Sequence, residues 1–226
     1  MSNNRVVGRV RPLIGLLIAV VLLGACRVDN VVTLTVKPNG SGNVALVTTV
    51  DAEIVANNPG IESDLSFEDA KAAGWKVSDV AATETGGLQV RVSHNFDNPQ
   101  EATTLLNQLS GDYGPFKNMS LSRDGKDTDS TFTLNGKLEV NGGMNAFADG
   151  KLLSLIGGAP YKQALADSNQ DIGQAVSMTF LARMPGKVAS TNGTPDGIDA
   201  ITWNVAFDGS SQDVSAVTEN TAVAST

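Results

Sequence analysis

The chain has 226 residues, of which 41% are hydrophobic and 18% charged, and its formal net charge is −8. That is ordinary globular composition, which excludes a disordered chain and a multispan membrane protein. The acidic balance, with no Lys/Arg cluster after Arg11, excludes a binder that tracks nucleic-acid phosphates. Aromatics are only 5% and glycines number 23, which fits an exported domain of strands and turns. The single cysteine, Cys26, forbids an intramolecular disulfide, so the compartment has to be read from the N-terminus.

Arg5, Arg9 and Arg11 precede an apolar run from Leu13 to Leu23. The run is shorter than the ~20 residues a spanning helix needs, and its basic lead marks an export signal. Gly24 and Ala25 supply the small side chains a signal peptidase accepts, and Cys26 follows. Leu23-Gly24-Ala25-Cys26 resembles a bacterial lipobox, with Gly24 where Ala or Ser is commoner. The resemblance implies that residues 1–25 are a lipoprotein signal peptide and that Cys26 is diacylated as the first mature residue. Each buried acyl CH₂ contributes roughly 0.8 kcal/mol, so two chains anchor a protein without a spanning helix. Loss of Arg5, Arg9 and Arg11 leaves 13 basic against 24 acidic side chains, a charge of −11. Such a body does not lie flat on anionic lipid through charge alone.

Val32, Leu34 and Val36 alternate with polar neighbours, as do Val44, Leu46, Thr48 and Val50, with Pro38-Asn39-Gly40-Ser41-Gly42 between them. Period two, turn, period two predicts a β-hairpin. Asn57-Asn58-Pro59-Gly60 reads as a loop, and Ser66 before Phe67 with Gly74 beyond reads as a short helix over 67–73. Strands are expected at 76–83 and 88–96, turned at Gly86-Gly87, the second with Leu88, Val90, Val92, His94 and Phe96 on one face. Asn98-Pro99-Gln100-Glu101 opens a helix whose Ala102, Leu105, Leu106 and Leu109 form one apolar stripe. Further strands are expected at 117–122 and 130–140. Met144, Phe147, Ala148, Leu152, Leu155 and Ile156 then fall at helical spacing, up to Gly157-Gly158-Ala159-Pro160. Val176, Met178, Phe180, Ala182 and Met184 alternate strictly, as do Ile201, Trp203, Val205 and Phe207, with a turn-rich loop between the two runs. One last strand is expected near 212–218. The domains are therefore a signal peptide at 1–25, an α+β extracytoplasmic domain at 26–208, and a polar tail at 209–226. The fold class is α+β, a largely antiparallel sheet covered by two or three helices.

Little here carries catalytic chemistry. His94 is the only histidine and lies in the parity of an apolar strand face, so a packed strand histidine is the simpler reading. Zinc ligand sets need several His or Cys. Asp124, Asp127 and Asp129 lack the spacing of a calcium loop and read as a solvated hairpin turn. Gly157-Gly158 lacks the pattern of a phosphate loop. No metal, cofactor or enzyme activity is expected. The apolar stretch from Met144 to Ile156 has the character of a wall over an apolar pocket.

Two segments, "SMTFLARMPGKVASTNG" and "ITWNVAF", together with the hairpin "VVTLTVKPNGSGNV" directly behind a lipobox, resemble the LppM-like lipoproteins of actinobacteria. The resemblance spans most of 23–208, with recognisable motifs only at its two ends. It implies a lipid-anchored α+β domain on the outer face of the cytoplasmic membrane that binds envelope lipids, such as mannosylated phosphoinositides, without catalysis. It brings no catalytic residues. Such proteins often end in a membrane helix, whereas no apolar span follows Asp208 here, so the acyl group on Cys26 is the expected anchor. The expected function is binding of an amphiphile, a glycolipid, between the sheet and a helical cover. Phe147, Leu152, Leu155 and Ile156 are assigned to the cover, and Met178 and Phe180 to the sheet. The rival is a protein-interaction scaffold of the envelope without a cavity.

Overall fold

Strict alternation of apolar and polar side chains gives two sheets rather than one in the computed structural model, which describes residues 27–57, 59–64, 67–110, 115–126, 128–140, 176–197 and 199–221. The first half holds β1 (Val28–Val36), β2 (Gly42–Val50), α1 (Ala52–Asn57), α2 (Ile61–Asp64), α3 (Glu68–Ala72), β3 (Lys76–Val77), β4 (Ala81–Ala82), β5 (Leu88–Phe96) and α4 (Pro99–Gln108). The second holds β6 (Phe116–Lys126), β7 (Asp129–Glu139), β8 (Val176–Arg183), β9 (Lys187–Thr191), β10 (Thr194–Asp196), β11 (Ala200–Asn204) and β12 (Ser211–Thr221).

Sheet A runs β10-β11-β8-β1-β2-β5-β3, with β4 also on β5; sheet B runs β6-β7-β12-β9. Both are open and largely antiparallel, as expected. β8 pairs with β1 in parallel, Val32 opposite Phe180, so a long crossover joins sheet B back to the middle of sheet A. Val32, Leu34, Val44, Phe180, Ala182, Ile201 and Trp203 of sheet A are buried in one core with Phe132, Leu134, Leu138 and Ala216 of sheet B. The two inner faces meet as a sandwich. At its centre Phe180 packs edge-on to Phe116 at 5.2 Å and stacks on Trp203 at 5.6 Å between ring centroids. Full burial of each such ring stabilises the fold by roughly 1.5–3 kcal/mol.

α4 forms as its sequence dictates. The Asn98 side chain accepts from Glu101 N–H at 2.9 Å, Pro99 occupies the first turn, and Ala102, Leu105 and Leu106 are buried. The flank of the stripe has a second task. Thr103 Oγ1 accepts from Leu121 N–H (2.9 Å), Asn107 Oδ1 from Met119 N–H (3.2 Å), and Ser110 Oγ from Phe116 N–H (2.8 Å). Thr103 and Asn107, one turn apart on α4, and Ser110 just beyond its end supply acceptors to the edge of β6, the job a neighbouring strand would otherwise do.

Several sequence expectations need correction. The strand expected at 117–122 is longer, Phe116–Lys126, while that expected at 130–140 runs Asp129–Glu139, and the two meet at a tighter hairpin, Lys126 opposite Asp129. The strand expected at 76–83 is two short pieces, β3 and β4. α1 went unread, although Asp51 is its N-terminal cap, accepting from Ile54 N–H at 2.9 Å. The loop between β8 and β11 contains β9, which belongs to sheet B, so the chain changes sheets twice there. The folded chain also continues past Asp208: β12 is an interior strand of sheet B, paired with β7 and β9.

Candidate functional site

The two ends of sheet A differ in chemistry. At one end β1 begins, β2 ends and β8 begins, with Val28 opposite both Val50 and Val176. Arg27 is tied down here. Its backbone N–H donates to Asp51 Oδ2 at 2.6 Å, and its carbonyl accepts from Asp51 N–H at 3.1 Å. Because the other Asp51 oxygen caps α1, one carboxylate holds both the helix start and the entry of the chain. Arg27 Nε donates to Asp29 Oδ1 at 2.7 Å, and Ser177 Oγ donates to the same oxygen. The ion pair is exposed, so it is worth less than about 1 kcal/mol. The 83–87 turn lies against this clasp: a Cβ on Gly87 would stand 2.2 Å from Val50 O and 3.2 Å from Asp51 Cα.

At the other end, the β1–β2 hairpin and the end of β5 frame a cleft of about 210 Å³. Its floor is a polar row across three strands, Thr35, Asn43 and Asn95, in register and flanked by Lys37, Ser41 and Asp97. Asn43 Nδ2 donates to His94 O at 3.1 Å and Asn95 Oδ1 at 2.9 Å. The cleft is smaller than the ~300 Å³ at which ligand pockets usually begin, and its lining suits a small polar group rather than an acyl chain.

Of the residues assigned to an amphiphile site, Met178 and Phe180 are buried on the inner face of sheet A. Phe180 is fully enclosed between Phe116 and Trp203. Phe147, Leu152, Leu155, Ile156 and Cys26 lie outside the described residues.

His94 is half-buried, with its ring edge-on to Trp75 at 5.5 Å and Nδ1 bonded to Asn95 O. Asp124 and Asp129 sit in the β6–β7 hairpin. Asp208, exposed in the turn before β12, has its carboxyl held below the ordinary 3.8 by hydrogen bonds from Ser210. Among the described residues no three of His, Cys, Asp and Glu are grouped as a metal site, and no helix is long and apolar enough to cross a membrane.

A feature that sequence reasoning missed is Asn192, which falls in the turn-rich loop between the two alternating runs. Its Oδ1 accepts from Trp203 Nε1 and from Ser215 N–H, both at 2.9 Å, and its Nδ2 donates to Asp213 O at 2.7 Å. One amide thus latches the core tryptophan of sheet A to β12 of sheet B. A Cβ on the adjoining Gly193 would stand 2.5 Å from the Trp203 ring, so glycine is required by close approach. The motif residues at this junction therefore hold the two sheets together.

No family model matches the chain, and no curated protein matches it. Among solved structures it is similar to the folded domain of LppM from Mycobacterium tuberculosis, determined by NMR, at 15% sequence identity and a TM-score of 0.47, over 88% of this chain and 94% of that one.

Proposed function

We propose that this protein is a non-catalytic lipoprotein of the cell envelope, acylated on Cys26 and held at the outer face of the cytoplasmic membrane, whose sandwich domain binds an amphiphile. The observation that carries the anchored part is one of adjacency. A basic lead, an apolar run and Leu23-Gly24-Ala25-Cys26 end directly before Arg27, whose backbone is bound to Asp51. A residue tied into the domain directly behind the cysteine leaves the acylation motif next to the fold in sequence.

The amphiphile rests on the apolar spacing of Phe147, Leu152, Leu155 and Ile156 and on the family resemblance of the sequence. A second reading, an envelope scaffold that engages a protein, is favoured by the close packing of Phe116, Phe180 and Trp203 in mid-sandwich. Native mass spectrometry of the full mature chain, incubated with extracted envelope lipids, separates the two. A stoichiometric lipid adduct is expected. A bare protein mass across all lipid classes would remove amphiphile binding and leave the scaffold.

A further inference from the structure

Resting on the acylation of Cys26 proposed above, we infer that the domain stands end-on at the bilayer. The Arg27–Asp51 end of sheet A faces the headgroups, and the β1–β2 hairpin end points away. Reach imposes this orientation. Arg27 is fixed through both its N–H and its carbonyl to Asp51, and β1 begins at Val28. Cys26 is covalently next to Arg27. One or two residues extend at most about 7 Å, so the acyl chains cannot enter lipid unless this end of the sheet lies against it. Val28, Val50, α1 and the 83–87 turn share that end. β1 has nine residues, which places its other end roughly 30 Å away.

Charge does not produce this orientation. Segments 27–29, 50–57 and 79–88 carry Asp29, Asp51, Glu53, Asp79 and Glu84 against Arg27. An acidic end is repelled by anionic lipid, so covalent attachment alone holds it there. The polar cleft around Lys37 and Asn43 consequently opens away from the anchoring membrane.

The test uses the full chain, processed and acylated in a bacterial host and reconstituted into vesicles with an acceptor dye on the headgroups. A donor dye is placed on Glu84→Cys or on Lys37→Cys, both exposed positions. Energy transfer is expected to be at least threefold more efficient from position 84, equally so at low and high salt. A twelve-residue Gly/Ser insertion between Cys26 and Arg27 is expected to abolish the contrast. Equal transfer from the two positions in the uninserted chain, or stronger transfer from position 37, overturns the inference while leaving acylation standing. The mass of the N-terminal peptide, measured on the same preparations, reads acylation separately, and an unmodified Cys26 overturns both.

Discussion

Sheets A and B meet across one core but are put together in different ways. The centre of sheet A is local: β1 and β2 form a five-residue-loop hairpin whose nine pairs run without a slip from Val28↔Val50 to Val36↔Gly42. Sheet B has one local hairpin, β6–β7, and is otherwise assembled from afar. Its second interior strand, β12, is the last of the described strands, β9 reaches it from the middle of a connection between two strands of sheet A, and each outer pairing carries a register shift. A sheet made of hairpins is specified by turn residues and alternation. A sheet made of distant strands needs particular side chains to fix where they meet, and here those are Asn192 on one side and Thr103, Asn107 and Ser110 on the other.

The sharpest way to break the comparison is at the core both sheets share. Phe180→Ala removes a fully buried ring that touches Phe116 and Trp203, and a loss of about 3–5 kcal/mol in urea unfolding is expected, with both sheets lost in one transition. Two separate transitions would show that sheet B folds on its own. Asn192→Ala comes next. It orphans the Trp203 indole N–H and the Ser215 N–H, at an expected cost of about 2–4 kcal/mol. Amide exchange should quicken in β12 and β9 before it does in β1 and β2; uniform acceleration would count against a latch specific to sheet B.

Asp51→Ala tests the local side of the contrast. It deletes the cap of α1 and the acceptor of Arg27 N–H, and about 1–2 kcal/mol is expected, with exchange gained at residues 27 and 54 and not in sheet B. The smallest effect has the opposite sign. Thr218 Oγ1 is buried in sheet B with no hydrogen-bond partner among the described residues, so Thr218→Val should raise the unfolding midpoint, by about 1 kcal/mol in free energy. A fall in stability would mean that the hydroxyl is satisfied.

The same division decides how much could be read from sequence. The β1–β2 hairpin, α4 and its cap, and the inner faces of β8 and β11 follow from period and turn chemistry, since each signal lies within some 20 residues. Sheet B was not legible as a separate sheet because alternation says which side of a strand is buried, not which strand lies beside it. The strand near 212–218 is legible, but its place inside the domain is not, because its apolar set, Val214 and Ala216, is small and its inward Thr218 is polar. Asn192 looked like turn chemistry because an Asn-Gly pair has that meaning far more often than a latch. At the candidate anchor, Cys26 is read from the sequence alone and lies outside the described residues. The clasp that follows it was not legible, because it joins residues 27 and 51 through backbone groups that every residue carries.

Removal of the leader after Ala25 and attachment of the chain to lipid through Cys26 both leave their mark on the N-terminal peptide. The most direct measurement is mass spectrometry of the N-terminal peptide from the membrane fraction of cells expressing the full chain. The account expects a peptide that starts at Cys26 and carries the mass of a diacylglyceryl group, absent from Cys26→Ser. A membrane-bound peptide with an unmodified Cys26, or a chain cleaved elsewhere and recovered from the soluble fraction, would contradict it.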